Sequence, residues 1–299
     1  MLYKFSIIIP HKNIPQLLRR CLSSIPERED IQVVVVDDAS DSIDEVNSIV
    51  HEYKNVELIV TKEGKGAGYA RNKGLQSAKG EWILFADADD FFEEGFINVI
   101  EKHKSDEADI VFFAAKSVYS DSLNPSPKLS KRRNVIVRYT NSPKKLDDYF
   151  RYFQTEPWGK MIRRNLICEK GIKFDETPLA NDYYFSIVSG YYASQLIYDN
   201  SVVYVYTERE GSLSYKLTAN EQTLLTRLGV YKHVQDFMDL HKISYAPFFR
   251  YSFSEYINKE SNFSNVIEQF WKENNIAKSY VIYRYIKAKL YQYICGVNL

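Results

Sequence analysis

The sequence predicts an α/β protein, a mostly parallel, doubly wound sheet followed by a C-terminal helical appendage. Three observations carry this. Short apolar or β-branched runs alternate with stretches of helical period through the first third of the 299 residues. Two of those runs stop abruptly in aspartates, Asp37-Asp38 and Asp87-Ala88-Asp89-Asp90. From about Lys216 onward the apolar spacing is helical throughout.

The elements follow in order. Phe5 to Pro10, Ile31 to Val36, Val56 to Thr61 and Trp82 to Ala86 read as strands. Between them, Ile14, Leu17, Leu18 and Leu22, then Val46, Ile49 and Val50, then Ala67, Ala70, Leu75 and Ala78 read as helices. Strands that are continuous apolar runs joined by helices indicate a sheet covered on both faces, with right-handed crossovers. In such sheets ligands bind beyond the carboxyl ends of the strands. A helix from Glu93 to Lys104 leads to a strand at Ile110 to Ala115. Asp121 to Arg133, with Pro125, Pro127, Lys128, Lys131, Arg132 and Arg133, reads as an exposed loop, its basic residues solvated rather than bound to an acceptor or membrane. Asn134 to Tyr139 resumes strand character and Pro143 to Phe153 is helical, while Glu156 to Ser214 mixes short helices with a strand at Leu196 to Tyr206. Leu224, Leu225, Leu228, Tyr231, Val234 and Met238 then form one apolar stripe. The division expected is a catalytic domain over residues 1–215 and a helical region over 216–299.

Composition narrows the function classes. Lys+Arg and Asp+Glu both total 39, so no global attraction to nucleic acid is implied and charged ligands must be met locally. Cys21, Cys168 and Cys295 are odd in number and far apart, which argues against a disulfide framework or a zinc ribbon. The N-terminus carries no signal-peptide pattern, and no window approaches the roughly 20 apolar residues of a spanning helix, so the expected place is the cytoplasm. The 24 tyrosines and 17 phenylalanines suit a stacking surface, but core packing explains most of them. No internal repeat, His/Cys metal cage or Ser-His-Asp arrangement is readable.

The chemistry gathers at the strand ends. In a parallel sheet both acidic clusters open on one edge and can converge on one cleft. Aspartates after strands often cap the next helix, and for Asp38, Ser40 and Asp41 that plain account stands level with a functional one. Three carboxylates in four positions at Asp87, Asp89 and Asp90 outnumber the capping need and suggest Mg²⁺ or Mn²⁺. Upstream, Gly64-Lys65-Gly66-Ala67-Gly68-Tyr69-Ala70-Arg71-Asn72-Lys73-Gly74 places glycines between a strand and a helix, where backbone amides can approach a phosphate. It is neither a P-loop nor a dinucleotide fingerprint. A nucleoside diphosphate with a metal fits better than a nicotinamide cofactor.

Four segments in order carry a resemblance: Ser6-Ile7-Ile8-Ile9-Pro10-His11-Lys12-Asn13, Val35-Val36-Asp37-Asp38-Ala39-Ser40, Ala70-Arg71-Asn72-Lys73-Gly74 and Phe85-Ala86-Asp87-Ala88-Asp89-Asp90. Together they resemble the family 2 glycosyltransferases of GT-A fold, over residues 3–115 and more loosely over 156–214. The resemblance implies that Pro10, His11 and Lys12 line the nucleotide base, that Asp38 meets the uracil, and that Arg71 and Gly68 flank the nucleotide. It implies an Asp-x-Asp motif in which Asp87 and Ala88 lie toward the ribose and Asp89 holds the metal. Pro178-Leu179-Ala180-Asn181-Asp182-Tyr183-Tyr184-Phe185 resembles the segment that supplies the catalytic base, with Asp182 at the matching position and Asn181 replacing the usual acidic neighbour. The plain alternative is that Asn181 or Asp182 caps the helix running to Tyr192. Trp158-Gly159-Lys160-Met161 and Arg209-Glu210-Gly211-Ser212-Leu213-Ser214 resemble two further family segments, the latter near the donor phosphates.

The function implied is inverting, metal-dependent transfer of a sugar from a nucleotide donor, expected to be a UDP-sugar, to an acceptor hydroxyl in bacterial surface polysaccharide synthesis. A sugar-nucleotide pyrophosphorylase is the rival enzyme class, but Pro10-His11-Lys12-Asn13 lacks its Gly-rich basic signature. A noncatalytic nucleotide-sugar-binding protein is the other, disfavoured by intact acidic motifs. Donor sugar and saccharide or lipid-linked acceptor are left open. The basic, aromatic stretch Lys278 to Cys295 either lies on the inner face of an anionic membrane or packs on the main domain or a second subunit as a homodimer.

Overall fold

The computed structural model describes residues 3–129, 143–209, 220–258 and 262–295. The strand expected at 134–139, the basic residues 131–133, the stretch 210–214 and the boundary at 215–216 lie outside the described residues. Eight strands form one sheet in the order β3-β2-β1-β4-β7-β6-β8-β5. They are β1 (Phe5–His11), β2 (Ile31–Asp38), β3 (Val56–Thr61), β4 (Trp82–Phe85), β5 (Phe91–Phe92), β6 (Ile110–Tyr119), β7 (Lys160–Arg163) and β8 (Leu196–Glu208). Helices α1 (Pro15–Ser23), α2 (Ile43–Val50), α3 (Ala67–Ser77) and α4 (Phe96–Lys102) link the first six strands; α5 (Pro143–Tyr152), α6 (Arg164–Lys170) and α7 (Tyr183–Tyr192) follow. The remainder is α8 (Glu221–Leu240), α9 (Pro247–Ile257), α10 (Ser264–Glu273) and α11 (Lys278–Cys295).

The first four strands are parallel, as the apolar runs require, with His11 opposite Asp37 and Ile8 opposite Phe85. Beyond β4 the sheet is mixed. β7 runs antiparallel between β4 and β6, and the two-residue β5 pairs antiparallel with β8. Neither short strand is predictable from pattern: Lys160-Met161-Ile162-Arg163 holds two apolar residues between charges, one for each face. The α4 helix begins three residues later than its apolar spacing suggests because Gly95, at φ 74°, caps it after β5.

Strand parity sorts the core. Ile7, Ile9, Val33, Val35, Leu84 and Met161 pack under α1, α2 and α4, whereas Ile8, Ile83, Phe85, Phe112 and Ile162 meet α5, α7 and α8 on the opposite face. The aromatic residues serve this packing: Phe174 and Phe185 stack at 3.9 Å, and Phe85 meets both edge-on. A third core, including Leu224, Leu228, Phe248, Trp271 and Val281, joins the C-terminal helices. The α8 helix starts in a capping box, Thr223 N–H donating to Asn220 Oδ1 at 2.9 Å and Asn220 N–H to Thr223 Oγ1 at 3.2 Å. It serves two cores, Leu224 and Leu228 facing the third and Val234, Phe237 and Met238 the second.

Candidate active site

The carboxyl ends of β1, β2 and β4 open on one sheet edge, and parity decides where each side chain goes. Odd positions Ile7, Ile9 and His11 share a face, as do Val33, Val35 and Asp37, so His11 and Asp37 meet beside each other in the interior, 3% and 0% exposed. Ile14 N–H donates to His11 Nε2 at 3.2 Å, which leaves the proton on Nδ1, and that nitrogen donates to Asp37 Oδ2 at 2.7 Å. The pattern assigns a neutral imidazole. Burial alone would raise the Asp37 carboxyl, but the bonds from His11 and from the Ser40 hydroxyl and N–H hold it below its ordinary value. His11 therefore braces the β1 and β2 ends and does not present its ring to a ligand. Lys12 is exposed and Pro10 half-buried at the same edge.

The even residue Asp38 points to the other face, toward α3. Its carboxylate accepts from Thr61 Oγ1 at 2.7 Å and from Gly66 N–H at 2.5 Å. Gly66 stands at φ 92°, a conformation that favours glycine and lets its amide face Asp38. The α2 helix is capped at Ser42 without a side-chain bond, so Asp38, Ser40 and Asp41 are not its caps. Two residues on, Gly68 admits the 175–181 segment: a Cβ there would stand 2.0 Å from Asp175 O and 2.9 Å from Asn181 Cβ. Its part is this close approach, which brings the glycine loop to the segment bearing Asp182.

Arg71 joins the two halves. Buried, with its guanidinium 5.4 Å from the Phe174 ring centroid, it donates to Asp87 Oδ1 at 2.5 Å and to Asn181 Oδ1 at 2.8 Å. The neutral Asn181 thus accepts from the guanidinium that also pairs with Asp87. Asp182 follows directly, half-buried at the N-cap of α7, and its side chain makes no capping bond. Burial raises the Asp182 carboxyl above its usual value, opposed by the charge of Arg71 and, less strongly, Lys160, and reinforced by Asp87.

The other acidic positions divide. Ala88 is buried with Leu84 and Ala86 in the first core, so only its backbone can face a ligand. Asp89 is half-buried; its Oδ2 accepts from Arg209 Nε at 3.0 Å, while burial and then the charge of Asp87 raise its carboxyl. Asp90 is 1% exposed and does not cap α4: its carboxylate accepts from Tyr204 Oη at 2.8 Å and Thr207 N–H at 2.7 Å. Burial, followed by the charges of Asp89 and Asp87, raises it strongly. Tyr204 Oη also accepts from Asp87 N–H at 2.9 Å, and its ring stacks on Trp158 at 4.9 Å, which makes that tryptophan a support beneath the acidic turn.

Two supporting residues escaped the sequence reading. Arg20, in the last turn of α1, donates to Asp89 O at 2.6 Å and to Ser120 O at 2.9 Å, and Thr207 Oγ1 donates to the same Asp89 carbonyl at 2.7 Å. Helical period alone does not distinguish Arg20 from any other polar residue on α1. Tyr204 lies within an apolar, aromatic strand and reads as core.

Among the described residues no three His, Cys, Asp or Glu side chains gather to hold a metal by themselves. Asp89, a half-buried carboxylate beside Asp87, fits a divalent cation that arrives with other oxygen ligands, since Mg²⁺ is commonly held by one or two carboxylates plus substrate phosphates.

The comparisons with known proteins agree with this architecture. The chain is 26% identical over 266 residues to the glycosyltransferase GlyA of Streptococcus pneumoniae serotype 4, which covers 81% of this chain but only 38% of that protein. It is 26% identical over 303 residues to the cholesterol galactosyltransferase of Borreliella burgdorferi, covering 92% of this chain and 82% of the relative. The crystal structure of S. aureus TarS 1-349 in complex with UDP-GlcNAc has a TM-score of 0.63 at 22% identity, covering 95% of this chain and 79% of that one, and so shares the fold. The family model for glycosyl transferase family 2 matches residues 6–167, more than half of the chain, and the chain belongs to that family.

Proposed function

We propose that the chain is an inverting glycosyltransferase that moves a sugar from a UDP-sugar to an acceptor hydroxyl in bacterial surface polysaccharide synthesis. The observation that carries this is Asp182: an N-cap carboxylate that caps nothing, raised by burial and tied through Asn181 and Arg71 to the acidic edge of β4. In the reaction Asp182 takes the acceptor hydroxyl proton, the hydroxyl oxygen bonds to the anomeric carbon, and the bond to the diphosphate breaks with its electron pair leaving on UDP. Asp38, Gly68, Arg71, Asp87 and the backbone at Ala88 would flank the nucleotide, with Pro10 and Lys12 at its rim, and Asp89 would hold Mn²⁺ or Mg²⁺. When bound, that cation supplies charge stabilisation to the departing diphosphate. The UDP-GlcNAc in the TarS structure supports the choice of donor class.

Replacing Asp182 by Asn is expected to lower transfer by roughly 10² to 10⁴ while leaving UDP binding intact. Calorimetry with UDP and Mn²⁺, paired with a transfer assay across UDP-sugars, reads both. Retained transfer removes the base assignment, and binding without any transfer points to a noncatalytic protein.

We also assign residues 1–215 to catalysis and 216–299 to a helical region that meets the inner face of the membrane from the cytoplasm. Among the described residues no helix is long and apolar enough to cross a membrane. Tyr280, Tyr283, Ile286 and Leu290 share the outer face of α11 at 46–57% exposure. Residues 278–295 carry four basic side chains and no acidic one; Lys278 and Arg284 pair with Glu268 and Asp239, while the exposed Lys287 and Lys289 complement anionic headgroups, and the Borreliella relative's name gives a lipid acceptor. Lys287→Gln and Lys289→Gln should each weaken binding to phosphatidylglycerol vesicles roughly fivefold. Absent vesicle binding with a dimer in sedimentation would give this face to a second copy of the chain.

A further inference from the structure

Lys160 opens β7, the strand next to acidic β4, and is 3% exposed. Its Nζ donates to Gln154 O at 3.2 Å and Ser186 Oγ at 3.1 Å, with the Phe112 ring centroid 5.5 Å away. Both acceptors are neutral, and none of the described ion pairs includes Lys160. An ammonium in this setting is costly unless a negative charge lies close by. The carboxylate that acts on it is Asp182, one helical turn before Ser186, whose N–H donates to Asp182 O at 3.0 Å. Burial pushes the amine down to about 7, and Asp182 opposes that push.

The charged and titratable groups around Asp182 are Arg71 from α3, Asp87 after β4, Lys160 from β7 and Tyr231 from α8. Arg71 is engaged by Asp87 and Asn181, and Asp87 disfavours the anion. Tyr231, itself raised by burial, brings no positive charge. Lys160 is the cation with no carboxylate bonded to it. We propose that Lys160 is a positioning residue for the base: anchored on Ser186, its buried ammonium holds the first turn of α7 and keeps Asp182 anionic without taking up its oxygens. The carboxylate stays available for the acceptor proton. This inference rests on Asp182 being the base.

The test is the pH profile of transfer in Lys160→Met, a swap of similar length, beside wild type and Asp182→Asn. Lys160→Met should displace the acidic limb upward by about one pH unit, so that kcat on that limb falls by up to roughly tenfold and the deficit shrinks as pH rises. UDP affinity and donor KM should stay within about twofold, and Tm should not fall, since a buried charge without a bonded counter-ion has been removed. A deficit uniform across pH, or lost UDP binding, overturns the proposal and makes Lys160 a packing residue. If Lys160→Met does not fold, Lys160→Gln must displace the limb and Ser186→Ala must lower kcat without displacing it; an unmoved limb in Lys160→Gln is equally fatal. Transfer retained in Asp182→Asn would instead defeat the base assignment, separately from this inference.

Discussion

Two strands of one sheet end in aspartates, and the two ends have opposite electrostatic character. At the end of β2, Asp37 is held below its ordinary pKa despite complete burial, because His11 and Ser40 donate to it. After β4, Asp89 and Asp90 are raised, by burial first and by neighbouring carboxylates next. The partners differ too. Asp37 and Asp38 accept from a histidine, hydroxyls and backbone amides within the sheet edge and its glycine loop, whereas Asp87 and Asp89 accept from the guanidinium groups of Arg71 and Arg209. The first end is finished by the fold. The second is left with excess negative charge that an arriving cation would relieve.

The comparison breaks most sharply with a pair of variants. Asp89→Ala is expected to lower transfer on the order of 10³-fold and weaken Mn²⁺-dependent UDP binding, yet leave Tm unchanged or higher, because the raised carboxyl is disfavoured as an anion at neutral pH. Asp37→Asn should do the reverse, costing roughly 2–3 kcal/mol and several degrees of Tm with UDP affinity little changed. Its pH signature has a definite sign. A lowered folded-state pKa gives stability that is present above the unfolded value of about 3.9 and lost as pH falls through the folded value, so Asp37→Asn should flatten the loss of stability below about pH 4. Equal effects of both variants on stability would erase the distinction.

Smaller changes sharpen it. Asp38→Ala frees Thr61 and Gly66 from their acceptor and should weaken UDP roughly tenfold by loosening the glycine loop. Tyr204→Phe removes the hydroxyl between Asp87 N–H and Asp90, with an expected cost of about 1–2 kcal/mol read by thermal denaturation and a lesser effect on transfer.

Much of this was legible in the residues. Continuous β-branched runs mark β1 and β2 because both faces are buried, and the acidic terminations mark the edge. His11 shows where reading by position falls short of reading by parity: it lies at the ligand edge, but it shares the odd face with Ile7 and Ile9, and the interior claims it. Ala88 follows the same rule beside Leu84 and Ala86. The antiparallel β7 was not legible, since four residues with charged ends carry no period, and with it went the neighbourhood of Lys160. Arg20 and Tyr204 act across sequence distances of 69 and 114 residues, contacts that only the folded chain reveals.

The α8 helix, divided between two cores, bears on how the chain can be cut. A fragment ending before Glu221 would lay bare the face of α7 where Phe237 packs edge-on against Tyr184 and Tyr191, in the second core. An end after Leu240 keeps α8 in place but takes Tyr245 from the second core and strips the partners of Leu224 and Leu228 from the third, so neither cut leaves both cores closed.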